Sequence, residues 1–426
     1  MKNAYDDLKE RGFIYQETDE ESAASLLAKE SVTFYIGFDP TADSLHVGHL
    51  LPIMAMRRLQ QAGHKPVVLV GGATALVGDP SGKQEARPIL SKEKVAENAD
   101  ALKQQLGRFI SLDDAIFVNN ADWFKDLLYI DFLREVGCRF SVNKMLAAES
   151  VKLRLETGLS FLEFNYMLLQ AYDFYVLNRE FGCRMQMGGQ DQWGNIVAGV
   201  DLVRKMSQQE VYGMTFPLLL NSQGQKFGKT AAGAVWLDPA RTSVFDYYQF
   251  WRNSADEEVK RLLYFFSPLP AEEIEQLGAL EAPEINRAKE ILAYEATALA
   301  HGKEEAEKAY LAAGSKFGFA ELKAGITITS EIENIKTTGK ASFEDLPSYE
   351  VPAAELENGI WIVKLLSDSG LCKSNGDARR LIQGGGAYLN EERLSNVDQN
   401  ITQADFEDNS LILRAGKKNI KRIIIA

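Results

Sequence analysis

Cysteine is scarce in this sequence. The three residues, Cys138, Cys183 and Cys372, are far apart and odd in number, which excludes a disulfide framework and points to a reducing cytoplasm. No H-E-x-x-H or C-x-x-C spacing occurs, so no protein-bound metal is expected. No hydrophobic run approaches a membrane span, and the opening M-K-N-A-Y-D-D-L-K-E is too polar and acidic for a signal peptide. Positive charge is in deficit, with a net charge of −13, which argues against a chain that coats nucleic acid by charge alone. The deficit is uneven. From Pro352 onward ten basic residues balance ten acidic ones, so the tail is neutral and reads as a separate module with its own partner. A chain of 426 residues exceeds one typical core, so two or three domains are expected, and its 46% hydrophobic content suits a globular protein.

Histidine is also rare, and half of it sits in one place. In V-T-F-Y-I-G-F-D-P-T-A-D-S-L-H-V-G-H-L-L-P-I-M-A-M, from Val32 to Met56, the apolar and β-branched residues up to Phe38 predict a strand. Asp39-Pro40-Thr41 breaks it, Ser44 is the predicted N-cap, and Leu45, Leu50, Leu51 and Met54 recur at helical spacing. His46 and His49 then share one helical face with Gly48 between them, a glycine read as making room for a close ligand. Such a pair is either a cap or a phosphate site at a helix start.

Further along, Pro66–Gly72 is a continuous apolar run ended by glycines, as in a strand buried on both faces. Helices are predicted near 92–106, 161–177 and 192–206, and strands near 116–120, 183–188 and 215–220. This alternation predicts an α/β fold with a parallel sheet, whose ligands lie at the carboxyl ends of its strands. Residues 245–318 read as helical, and 324–351 as a linker.

Several segments could carry chemistry. The loop G-G-A-T-A-L-V-G-D-P-S-G-K-Q-E-A-R is not a P-loop, being one residue short between Gly78 and Gly82, but leaves Lys83 and Arg87 free to cover a triphosphate. In N-S-Q-G-Q-K-F-G-K-T, Lys226 and Lys229 flank Gly228 and precede Thr230, cations suited to phosphoryl charge. Tyr166, Gln170 and Asp173 fall on one face of a helix whose other face is apolar, so they need partners, either within the protein or in a polar ligand. M-G-G-Q-D-Q-W-G-N closes a strand and opens a helix with Asp191 and Gln192.

Taken together, G-F-D-P-T-A-D-S-L-H, H-V-G-H, G-G-A-T-A-L-V-G-D-P-S-G-K, G-G-Q-D-Q-W-G-N and K-F-G-K-T resemble the bacterial tyrosyl-tRNA synthetases, of class I, over essentially the full length. The resemblance implies a Rossmann-like catalytic domain at 1–222, a helical anticodon-side domain with the K-F-G-K-T loop at 223–323, a linker at 324–351, and a small α+β RNA-binding domain at 352–426 resembling ribosomal protein S-four. It implies activation of L-tyrosine by ATP, with Mg2+ on the triphosphate, to tyrosyl-adenylate, then transfer to tRNA(Tyr) by a homodimer. By resemblance, Tyr35 and Asp173 meet the substrate phenol and Asp79, Tyr166 and Gln170 its amino group. Gln192 and Asp39 meet its carboxylate or the ribose, and Gly37, Pro40, Gly48 and Asp191 lie by the nucleotide. His46, His49, Lys83, Arg87, Lys226, Lys229 and Thr230 stabilise the triphosphate, while Arg379, Arg380, Lys417, Lys418 and Lys421 contact RNA. Gln190 departs from the pattern, standing where serine is usual. The alternative is a non-catalytic RNA-binding or regulatory paralogue with the same fold.

Overall fold

The protein is described here from a computed structural model, which covers residues 3–81, 90–221, 224–230, 233–322, 325–336, 346, 348–357, 359–390, 392–407, 409–416 and 419–426, with backbone only at Ser150, Leu153, Lys229 and Thr230. Lys83, Arg87, Lys417 and Lys418 lie outside these residues.

A six-stranded sheet organises the first half. Its order is Gln16–Glu17, Tyr212–Phe216, Met185–Gly189, Thr33–Phe38, Lys65–Val70 and Ile116–Asn119, all parallel except the first, which is an antiparallel edge. Thr33–Phe38 is central, pairing Tyr35 with Val67 on one side and with Gln186 on the other. It is therefore covered on both faces, and Phe34, Tyr35 and Ile36 are all buried, not half-buried as simple alternation suggests. The chain runs to opposite sides of this strand, so the carboxyl ends of Thr33–Phe38 and Met185–Gly189 border a crevice, the expected ligand position in a doubly wound sheet.

Local chemistry moves several predicted boundaries. Ser44 caps no helix: its hydroxyl donates to the Leu45 carbonyl, and the helix proper is Leu50–Gln61, preceded by a 3-10 turn at Val47–His49. The long helix predicted from Phe161 is two, Phe161–Phe164 and Tyr166–Phe181, with Asn165 turning its amide onto the Phe161 carbonyl at the break. The strand predicted at 215–220 is Tyr212–Phe216, because Pro217 cannot extend the ladder.

Five helices follow between Val244 and Phe317, and one apolar core runs from the sheet into them, joining Phe34, Ile53 and Met214 to Trp251, Leu263 and Ile291. Part of the expected linker is docked on those helices. Ile328 and Ile332 are buried, Thr329 donates to Glu273 at 2.9 Å, and Glu333 pairs with Arg287. Its end, Ser348–Val351, is a strand parallel to Asn419–Ile425 in a five-stranded sheet of the tail. That sheet packs with helices Ile362–Asp368 and Asn375–Gln383 around a separate core of Ile362, Leu366, Ile382, Leu413 and Ile423.

Candidate active site

The crevice at the strand ends is a cavity of about 560 Å³, within the range of small-molecule sites. Its half-exposed end is made by the histidine turn. His46 is the N-cap of the 3-10 turn: its Nδ1 accepts the Gly48 N–H at 3.0 Å, while His49 Nδ1 accepts the His46 N–H at 3.1 Å. The two rings stack with centroids 3.9 Å apart. Cap and phosphate site are thus compatible readings, since a ring whose Nδ1 accepts carries its proton on Nε2, making each imidazole a donor. Gly48 is needed by the protein itself, as a Cβ there would lie 2.8 Å from His46 Cε1.

The basic loop is tied to this turn. Gly228, at φ +82°, sits where a Cβ would be 3.1 Å from that of Val47, and Val235 donates to its carbonyl while accepting from Val47 N–H at 2.9 Å. Lys226, exposed, also lines the cavity, its backbone bridged to Leu220. The backbone of Lys229–Thr230 pairs with Gly233–Ala234.

The buried end holds Tyr35 and Asp173, each 1% exposed. Asp173 accepts from Asn120 Nδ2 at 3.1 Å and Trp123 Nε1 at 2.9 Å. Burial nevertheless pushes its carboxyl up to about 8 against the lowering effect of those two bonds. Burial also raises the Tyr35 phenol, helped by Asp173, and that hydroxyl has no hydrogen-bond partner among the described residues.

Between the ends lies a chain of polar contacts. Asp39 accepts from Thr74 Oγ1 at 2.8 Å and from the Tyr166 hydroxyl at 2.9 Å. Asp79 accepts from Gln192 Nε2 at 2.6 Å, and Asn195 Nδ2 donates to Gln170 at 3.2 Å and to Gln192 at 3.1 Å. Gly37 and Asp191 also line the cavity. Pro40 does not line it; its carbonyl instead accepts from Asn98. Gln190 accepts from the N–H of the cavity-lining Leu218, at 3.5 Å.

Sequence reasoning missed the residues that hold these groups. Asn120 and Trp123, which bond Asp173, lie outside every motif read from the sequence, Asn120 one residue past the Ile116–Asn119 strand, whereas Thr74 and Asn195 stand inside such motifs without a role having been read for them; Gln186 lines the cavity from the strand Met185–Gly189.

This arrangement can hold a small molecule with a polar tip at its buried end and a phosphate chain at its basic end. Residues 27–318 match the family described as class I tRNA synthetases (W and Y), and residues 340–423 match the tyrosine–tRNA ligase SYY-like C-terminal domain. A tyrosine–tRNA ligase of Desulfatibacillum aliphaticivorans is 51% identical over 428 residues, spanning 100% of this chain and 99% of the relative. The chain belongs to the tyrosine–tRNA ligases of class I. The Clostridium botulinum ligase is 49% identical over 427 residues, spanning 100% of both chains. Among solved structures, a C-terminally truncated mitochondrial tyrosyl-tRNA synthetase of Aspergillus nidulans superposes with a TM-score of 0.66 at 32% identity, covering 73% of this chain and 93% of its own. The Archaeoglobus fulgidus tyrosyl-tRNA synthetase, at 16% identity and a TM-score of 0.56, over 71% of this chain and 99% of its own, shares the fold. Membership in the tyrosine–tRNA ligases accounts for both halves, the parallel-sheet catalytic part and the tail.

Proposed function

We propose that the cavity runs the two steps of a tyrosine–tRNA ligase: attack of tyrosine's carboxylate on the α-phosphate of ATP, then transfer of the tyrosyl group to the terminal adenosine of tRNA(Tyr). The first step releases pyrophosphate and needs no enzyme nucleophile, only positioned donors and cations. ATP, as its magnesium complex, is a substrate. Tyr35 and Asp173 take the phenol, Tyr166, Gln170 and Asp79 the amino group, and Gln192 and Asp39 the carboxylate or ribose. Gly37, Gly48 and Asp191 border the nucleotide. His46 and His49, through Nε2, and Lys226 stabilise the triphosphate, joined by Lys83, Arg87, Lys229 and Thr230.

The observation that carries this reading is the hydroxyl of Tyr35, without a hydrogen-bond partner among the described residues and facing the charge of a buried carboxyl. A site so built leaves polar groups unpaired when phenylalanine enters, the principle for which tyrosyl-tRNA synthetases are themselves the standard example. Charging of tRNA(Tyr) with labelled tyrosine tests it; a chain that charges nothing contradicts it.

The tail is read as the RNA-binding module. Arg379 and Arg380 are exposed on one helix, Arg379 over the Trp361 ring at 4.9 Å, and Lys421 lies on the strand Asn419–Ile425. Phosphate contacts of this kind position an RNA without reading its bases. The catalytic, helical, linker and RNA-binding division at about 222, 323 and 351 stands with this reading, the last boundary drawn back to Ser348.

A homodimer fits the surface. Among the described residues, nine of the twelve exposed large apolar side chains, Leu128, Tyr129, Ile130 and Phe161 among them, fall between residues 128 and 197. Apolar exposure concentrated in one segment suits a second copy of the chain. A cytoplasmic home agrees with three cysteines that are all free thiols.

A further inference from the structure

Trp236 lies outside every motif read from the sequence, yet it lines the cavity against His46. Their backbones form an antiparallel bridge, flanked by Val47 N–H to Val235 at 2.9 Å and Leu237 N–H to Leu45 at 2.8 Å. The indole meets the imidazole edge-on, with centroids 5.9 Å apart and planes at 67°. On the indole lies Arg241, its Cζ 3.4 Å from the ring centroid. That guanidinium is in turn held by Asp43, Nη1 to Oδ1 at 2.6 Å, and Asp43 belongs to the loop that leads into His46. The backbone N–H of Trp236 donates to Thr242 Oγ1 at 3.0 Å. The chain therefore closes a ring of contacts, Asp43 to Arg241 to Trp236 to His46, around a turn that has only short caps of its own.

We propose that Asp43, Arg241 and Trp236 form a clamp that positions His46 for adenylation, Trp236 being the positioning residue and the Arg241–Asp43 pair its brace. The inference rests on the ligase reading, since it needs His46 to act on the triphosphate. His49 stacks on His46 and the Gly48 N–H holds the Nδ1 of His46, while Trp236 meets the imidazole edge-on from the side of the basic loop, a contact the turn itself does not supply. Val235, the residue before Trp236, joins Gly228 to Val47, so the clamp also sets the spacing of the basic loop from the histidine turn. Arg241 is one-third exposed (34%) and Asp43 more than half (56%), so the brace is screened and its contribution is modest.

The test is tyrosine-dependent ATP–pyrophosphate exchange by the full chain and its variants Arg241→Gln, Trp236→Leu and Trp236→Phe, with tyrosine KM and kcat separated. Arg241→Gln and Trp236→Leu should lower kcat by about threefold to tenfold while tyrosine KM stays within about twofold, and Trp236→Phe should restore most of the rate. On a His46→Ala background Trp236→Leu should add no further loss. Unchanged kcat in Arg241→Gln and Trp236→Leu, or an equal loss with and without His46, overturns the clamp. Should Trp236→Leu fail to fold by circular dichroism, the exposed Arg241→Gln decides by the same criteria, alone and combined with His46→Ala. Absence of exchange by the unsubstituted chain defeats the ligase reading, whereas exchange that ignores Arg241→Gln defeats only the clamp.

Discussion

Replacing Tyr35 by phenylalanine should make this protein harder to unfold and worse at recognising its substrate. The side chain is 1% exposed and its hydroxyl has no partner among the described residues, so the ligand-free fold carries an uncompensated polar group. Such a group costs about 1–3 kcal/mol. Removing it leaves the ring in place against Phe174, 5.4 Å between centroids, so little packing is lost. Recovering even part of that cost should raise Tm by about 2–6 °C for domains of this size. The opposite sign applies to binding: losing one hydrogen bond to the tyrosine phenol, about 0.5–1.5 kcal/mol, raises tyrosine KM about 2- to 13-fold. Phenylalanine loses nothing, so discrimination falls by the same factor. Calorimetric melting and pyrophosphate exchange with both amino acids measure the two effects. A lowered Tm together with unchanged tyrosine KM would refute the reasoning, because the hydroxyl would then be satisfied inside the protein and idle toward the substrate.

Other outcomes follow from the same geometry. His49→Ala should lower the activation rate about tenfold or more while tyrosine affinity stays nearly intact, as stopped-flow and equilibrium binding can show; equal losses in both would make the histidine structural. Asp173, raised to about 8 by burial, holds a proton in the folded state that an ordinary carboxyl near 3.8 has already lost, so its stabilising effect is full below about pH 4 and disappears as pH rises through 8. Asp173→Asn should therefore flatten the fall in Tm across that window, and an unchanged slope in thermal melts would contradict the assignment. Ending the chain at Leu346, ahead of the strand that pairs with Asn419–Ile425, should leave tyrosine-dependent exchange within about twofold and abolish most tRNA charging; full charging would show that the tail is not the RNA module.

The parallel sheet was legible because its strands are apolar on both faces and alternate with amphipathic helices. Periodicity reports burial, and burial dominates that architecture. Boundaries were less legible where a side chain competes with the backbone: His46 displaces Ser44 as the cap, and Asn165 divides a helix whose apolar period runs straight through it. Many residues lining the cavity were found as motifs, but Trp236 and Gln186 were not, nor were the groups that hold Asp173. Asn120 and Trp123 reach Asp173 from 53 and 50 residues away, and Thr74 reaches Asp39 from 35. Nothing local marks such pairs, since they are defined only once the sheet brings its strand ends together. The docked segment around Ile328–Ile332 was hidden for a related reason, its two buried isoleucines being too few to show a period.

The most direct test of the central claim is ATP–pyrophosphate exchange driven separately by tyrosine, tryptophan and phenylalanine. A cavity that pairs Tyr35 and Asp173 with a phenol at one end and His46, His49 and Lys226 with a triphosphate at the other predicts exchange with tyrosine and little with the other two. No exchange with tyrosine, or equal exchange with phenylalanine, would contradict it.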